Sequence, residues 1–307
     1  MRSILQRFGV LLLAAICATA CQGDNSSEEP ERRVYANWPQ SLDGLRFRWT
    51  AEPGIDLLTG PAVPLRAYIE SHRTGDFTLD PENVYPGFQQ AVHPGPPNTD
   101  KFSDAPYELW YIQPFTDPRY AFGPASNFYG NEYFHILSLE PDDDGWRAYV
   151  CDGTYGVFRE GERTDAYVPV NRAVDGGTNP DDSAMNVWRV ELTDKPDSAE
   201  PELPSAVNSP QEGPLPAPTE NVFGPWRITG ASPSTTWGPS NDPNSGPDTD
   251  YLQKQQQCLA RMPHSAAQRQ EMYASEPTSP PEAEPAVPGW PEAGSAARIG
   301  DSFGHAA

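Results

Sequence analysis

The residues with chemistry to offer are few and scattered. The five histidines are His72, His93, His135, His264 and His305, and no two stand at the HExxH spacing that sets a pair around zinc. The loop from Glu140 through Asp142 and Asp144 to Gly145 opens like a calcium loop. Its twelfth position is Cys151, where a bidentate Glu is needed, so a solvated turn accounts for it. No glycine-rich phosphate loop, GxSxG or Cys–His nucleophile pair occurs, and the sequence asks for no metal and no cofactor. What remains is a candidate pocket set: His135, Tyr149 and Asp152, which adjacent strands could bring onto one lining. A plainer reading makes His135 a satisfied core or surface histidine and Asp152 the start of a bend at Gly153.

The cysteines say more. Arg2 and Arg7 are followed by an uncharged, mostly apolar run from Phe8 to Cys17, then by Ala18-Thr19-Ala20 and Cys21. A run of about ten residues suits an export signal and is too short to span a bilayer. Residues 1–20 therefore read as a signal peptide. Thr19, Ala20 and Cys21 resemble the bacterial lipobox, with Ala18 where Leu is usual. That resemblance implies a diacylglycerol on Cys21, hence an extracytoplasmic protein anchored to the cell membrane. Ordinary cleavage after Ala20 fits the same residues and would leave a plain secreted protein. The next residues, QGDNSSEEPERR, are polar and without apolar period, so 21–35 reads as a flexible tether.

With Cys17 removed and Cys21 acylated, Cys151 and Cys258 are left as an even remainder in an oxidising compartment. Pairing them closes a loop of roughly a hundred residues, worth roughly 4–5 kcal/mol in the chain-entropy model. The alternative is two unrelated buried thiols. The formal net charge of −22 argues against nucleic acid and anionic headgroups as partners. Lipid, not surface charge, is then the expected link to the membrane, with envelope proteins or a small apolar ligand as the other expected partners.

These residues must be positioned by a domain between about residues 36 and 262. Thirty-six prolines and 25 glycines are too many for one uniform globule, and a Pro-rich insertion is expected at about 196–220. Residues 263–307 have few aliphatics and read as a mostly disordered tail, with a short helix over Ala266–Tyr273 and Trp290 as its one docking candidate. Leu65, Tyr68, Ile69 and His72 fall on one helical face, with Pro61 or Pro64 at the start and Gly75 as a stop. A second helix is expected within Asn83–Val92, and another in YLQKQQQCLARM, where Leu252 and Leu259 share the face beside Cys258. EYFHILSLE and GWRAYVCDGTYGVFRE alternate around the acidic turn and read as an antiparallel hairpin. NVWRVELTD and GPWRITGAS add strands, and VYANWP and YELWYIQPF are weaker strand candidates. Trp146, Trp188 and Trp226 each precede an Arg, which alternation sends to the opposite face.

Helices first and then long antiparallel strands predict an α+β domain with helices packed on one curved sheet. The order of elements over Pro61–Ser232 resembles the nuclear transport factor 2-like fold, the cone shared with ketosteroid isomerases. The segments AVPLRAYIESHRTG, YPGFQQAV, NEYFHILSLEP and WRAYVCDGTYGVF are similar to a group of uncharacterised actinobacterial, chiefly mycobacterial, envelope lipoproteins. That resemblance implies location and no activity. The expected function is a non-enzymatic binding or scaffold module. The alternatives are a carrier of an apolar ligand and an isomerase- or dehydratase-like enzyme with a cone pocket.

Overall fold

The computed structural model describes residues 34–96, 105–143, 145–162, 165–176, 178–195, 203–205 and 207–293. The signal, Cys21 and most of the expected tether lie outside the described residues. The architecture is α+β. Seven strands form one curled sheet: β1 (Gly44–Ala51), β2 (Phe128–Asp142), β3 (Gly145–Gly153), β4 (Val157–Glu160), β5 (Tyr167–Pro169), β6 (Met185–Thr193) and β7 (Arg227–Ser232). The expected hairpin is β2–β3, turning at Asp143, and β6 and β7 extend it antiparallel. VYANWP is not a strand: Asn37 has a left-handed backbone and the chain turns there. The first strand is β1, whose alternation buries Leu45, Phe47 and Trp49, and it runs parallel to β2. Residues of β2 pair with β1 and β3 at once, so these two take opposite edges, and β4 continues the line of β3 after a short interruption.

The helix α1 (Ala62–Thr78) lies in the hollow of the sheet. Its apolar periodicity marks one face, but every residue from Ala62 to Phe77 is buried. A helix buried all round needs cover on all sides. The sheet supplies one side through Phe134, Ile136, Val150, Trp188 and Val190. Loops supply the rest: Tyr68 donates its hydroxyl to Ile112 O, and Ala217, Val222 and Phe223 join the same core. Burying one such large apolar side chain contributes roughly 1.5–3 kcal/mol. Gly75 does not stop the helix, which runs to Thr78 and ends on Leu79 in a left-handed conformation. Gly75 is there for close approach, because a Cβ would stand 2.5 Å from Pro114 Cβ. The candidate strand YELWYIQPF instead forms a short helix, α3 (Tyr107–Trp110), after α2 (Phe88–Ala91), the one α-helical piece of the expected second helix.

Two small helices, α4 (Val170–Asp175) and α5 (Pro180–Ser183), follow β5, and α6 (Tyr251–Arg261) and α7 (Ala266–Ala274) cover the outer sheet face. Cys151 and Cys258 form a disulfide with Cα atoms 5.3 Å apart, which ties α6 to the middle of β3. Leu259 packs on the outer sheet face beside the buried Cys258, as its spacing suggests, but Leu252 is 72% exposed and Lys254 is buried in its stead. The Lys254 ammonium sits 4.0 Å above the Tyr149 ring and reaches Asp248 and Asp250.

The expected disordered tail from Pro263 is placed, as far as residue 293, against the domain. Helix α7 begins with a Ser265–Gln268 capping box. The chain then runs extended beside β1, where Val287 exchanges backbone hydrogen bonds with Phe47 and Trp49. Trp290 enters the core at 1% exposure, with its backbone paired to Leu215. Leu215 and Ala217 belong to the expected Pro-rich insertion, whose described part serves as cover for α1.

Candidate functional site

Helix α1 supplies the chemistry. Arg66, Glu70, Arg73 and Asp76 follow one another at i+4, i+3 and i+3, so alternating charges line up along one side of the helix. All four are buried. Isolated ionised groups cannot be buried at tolerable cost, so each must be matched in place.

The first match is around Glu70. Its Oε1 accepts from Trp49 Nε1 at 2.7 Å; its Oε2 accepts from Trp290 Nε1 at 2.7 Å and Tyr85 Oη at 3.0 Å. Burial pushes the Glu70 carboxyl up to about 7, against the opposing pull of Arg66 and these three donors. Arg66 donates to the carbonyls of Leu57, Gln211 and Pro288, and its guanidinium lies 4.4 Å from the Trp290 ring centre. This group binds the C-terminal segment to the core and is structural.

The second match is around Arg73. Its Nε donates to Glu132 Oε1 at 2.7 Å, Nη1 to Asp76 Oδ2 at 3.1 Å and Nη2 to Asp152 Oδ2. Asp152 also accepts from Trp188 Nε1 at 3.0 Å, and Asp76 from Phe115 N at 2.7 Å. His72 meets Asp76 through Nδ1 at 3.0 Å and Tyr111 O through Nε2 at 2.9 Å. Burial works against the charge on Arg73, but Asp152, Glu132 and Asp76 more than offset it and raise its pKa. Burial also holds the Glu132 carboxyl well above the usual range; Arg73 opposes this and Asp152 adds to it. Glu132 Oε2 and Asp152 Oδ1 are buried with no hydrogen-bond partner among the described residues.

Unlike Glu70, Arg73 borders a cavity. A half-open pocket of about 260 Å³ is lined by Arg73, Phe115, Tyr120, Phe122, Asn171 and Asn186, with Ser234 at its side. The Arg73 guanidinium is flanked by Phe122 at 4.9 Å and Trp188 at 5.4 Å. The pocket wall is the stretch after α3, which His72, Asp76 and the Gly75–Pro114 contact fasten to α1. A buried, perturbed cluster at the floor of a pocket is the arrangement expected of a binding or reacting site.

The candidate set from the sequence is split. Phe134 pairs with Asp152 and His135 with Cys151, so strand alternation sends Asp152 to the α1 face and His135 to the outer face. Asp152 belongs to the Arg73 cluster. Tyr149 donates to Asp248 Oδ2 at 2.5 Å under α6. His135 meets Thr50 Oγ1 at 2.8 Å, with Nε2 3.5 Å from Glu52, and burial lowers its pKa. On the outer face Tyr149 serves the α6 contact and His135 ties to Thr50 and Glu52, and neither shares a lining with Asp152. Among the described residues no group of three or more His, Cys, Asp or Glu is placed to hold a metal ion, and no helix is long and apolar enough to cross a membrane.

No family model, curated protein or solved structure matches this chain. Sequence reasoning found Asp152 and missed Arg73, Glu132, Asp76 and Trp188 as a group. One signal was present: charges of alternating sign at helical spacing inside an otherwise apolar helix.

Proposed function

We propose that this chain is an exported lipoprotein, held at the cell membrane by lipid on Cys21, whose folded part is a non-enzymatic binding module of the cell envelope. A helix seated in a curled sheet supports reading the fold as a nuclear transport factor 2-like cone, with β1 added ahead of the helix. A disulfide in the folded part agrees with an oxidising, extracytoplasmic location. The observation that carries the binding reading is Arg73, held rigid by three carboxyl groups at the floor of an aromatic-walled pocket. Trp49, Tyr68, Phe134 and Trp188 fill the space that an apolar cargo would need, which weighs against a carrier. The isomerase- or dehydratase-like alternative draws on Glu132 and Asp152, but a substrate would have to pass Arg73 to reach them.

Two measurements test this reading. Intact mass of protein extracted from host membranes should show acyl chains on the wild type, and Cys21→Ala should lose them and leave the membrane; an unacylated wild type refutes the anchor. A photo-crosslinking side chain in place of Tyr120 should trap a small molecule in the living host. If the folded protein gives no such adduct, the pocket is not a binding site.

A further inference from the structure

The character of the Arg73 pocket limits what it can hold. We propose that it takes a small, uncharged, flat ligand that presents a carbonyl oxygen, and that it turns away the matching carboxylate. The inference rests on the binding reading above and adds the ligand's chemical class.

Shape comes first. Phe115, Tyr120 and Phe122 line a space of about 260 Å³, smaller than the usual range for drug-sized ligands. Phe115 stands edge-on to His72 at 5.9 Å, and Phe122 packs on Phe77 at 4.6 Å, so two of the three rings are held by the core behind them. Fixed rings favour a flat apolar body laid against them.

Hydrogen bonding comes second. A guanidinium has five N–H groups, and three of those on Arg73 go to Glu132, Asp76 and Asp152. Those that remain are on the terminal nitrogens of a residue that borders the pocket. They can donate to an acceptor placed there. The carboxamides of Asn171 and Asn186, also in the lining, can meet a further donor or acceptor of the ligand.

Charge decides between acceptors. An arginine in a pocket ordinarily suggests an anion. Here the single positive charge already faces Asp76 and Asp152, with Glu132 as a third acid. An incoming carboxylate would enter a site whose cation is already matched more than once, inside a chain of net charge −22. A neutral carbonyl accepts the same hydrogen bonds without that repulsion.

Benzamide and benzoate have the same shape and differ in charge, so they form the test. The purified, disulfide-intact protein is titrated with each at neutral pH by ligand-observed NMR. Benzamide should bind saturably and benzoate roughly tenfold more weakly or worse. Phe122→Ala, shown to be folded by its circular dichroism, should abolish the benzamide signal. Benzoate binding as well as benzamide would overturn the ligand class and leave the pocket a binding site. Saturation by neither would overturn the pocket as well. Should Phe122→Ala fail to fold, 4-azidobenzamide takes its place: photolabelling within residues 115–122 supports the proposal, and labelling only elsewhere overturns it.

Discussion

Glu70 and Glu132 are both carboxyl groups sunk in the core, but their surroundings differ. Glu70 has donors on both oxygens, whereas Glu132 leans on Arg73 and leaves Oε2 without a partner. The raised value of Glu70 has a measurable consequence. Its folded-state pKa is about 7, against an ordinary 4.5, so between these values the folded chain holds a proton that the unfolded chain has released. Its contribution is fully present below about pH 4.5 and is lost as pH rises through 7. Urea denaturation at pH 5, 6, 7 and 8 should therefore give a smaller fall in stability for Glu70→Gln than for the wild type. Parallel profiles would show that Glu70 titrates near its ordinary value. Neither acid could be ranked from sequence. A buried Glu looks the same as a surface one until Trp49, Tyr85 and Trp290, 21 residues before and 15 and 220 residues after it, are known to converge there.

At the scale of elements, local pattern was a good guide where one partner dominates. The β2–β3 hairpin, β6, β7 and α6 stand where alternation or helical period placed them, because each has a sheet on one side. The Cys151–Cys258 pairing followed from counting thiols, and its geometry places α6 on β3. Replacing both cysteines by Ser should cost roughly 2–5 kcal/mol and loosen α6, read as faster amide exchange over Tyr251–Arg261. Unchanged exchange there would mean that Lys254 and Tyr149 hold the helix unaided. Local pattern misled where packing overrides it. Gly75 carries the mark of a helix stop, yet it sits inside α1 beneath Pro114. Gly75→Ala gains helix propensity and loses that contact. Overpacking of this kind costs about 1–3 kcal/mol, so a net loss of stability is expected by thermal melting. A gain would show that Pro114 yields freely. β1 alternates Leu45, Phe47 and Trp49 with Arg46, Arg48 and Thr50, so its strand pattern was legible; what no window around Gly44–Ala51 contains is the cover of its outer edge by residues more than two hundred positions away.

For the molecule as a whole, composition misjudged the segment from Pro263 to Ala293. Few aliphatics and many prolines describe a chain that cannot form its own core, which is true, but not one that cannot complete another. Trp290 fits beside Gly213 and Gly289, whose backbones approach so closely that a Cβ on Gly289 would lie 2.2 Å from Gly213 O. Trp290→Ala should cost about 3–5 kcal/mol and open the segment after Ser275 to protease. A melting temperature like that of the wild type would mean that the segment rests on the core without supporting it. The same contact sets an order of events in time. Glu70 and Trp290 are 220 residues apart. At about 5–20 residues per second the ribosome delivers the second roughly 10–40 s after the first. Throughout that interval the Glu70 carboxyl lacks one of its three donors and the ring that covers it. Helix α1 can collapse onto early strands only as a provisional arrangement, and final closure waits for Trp290. A chain built in this way stays open to threading and handling until that tryptophan has been made.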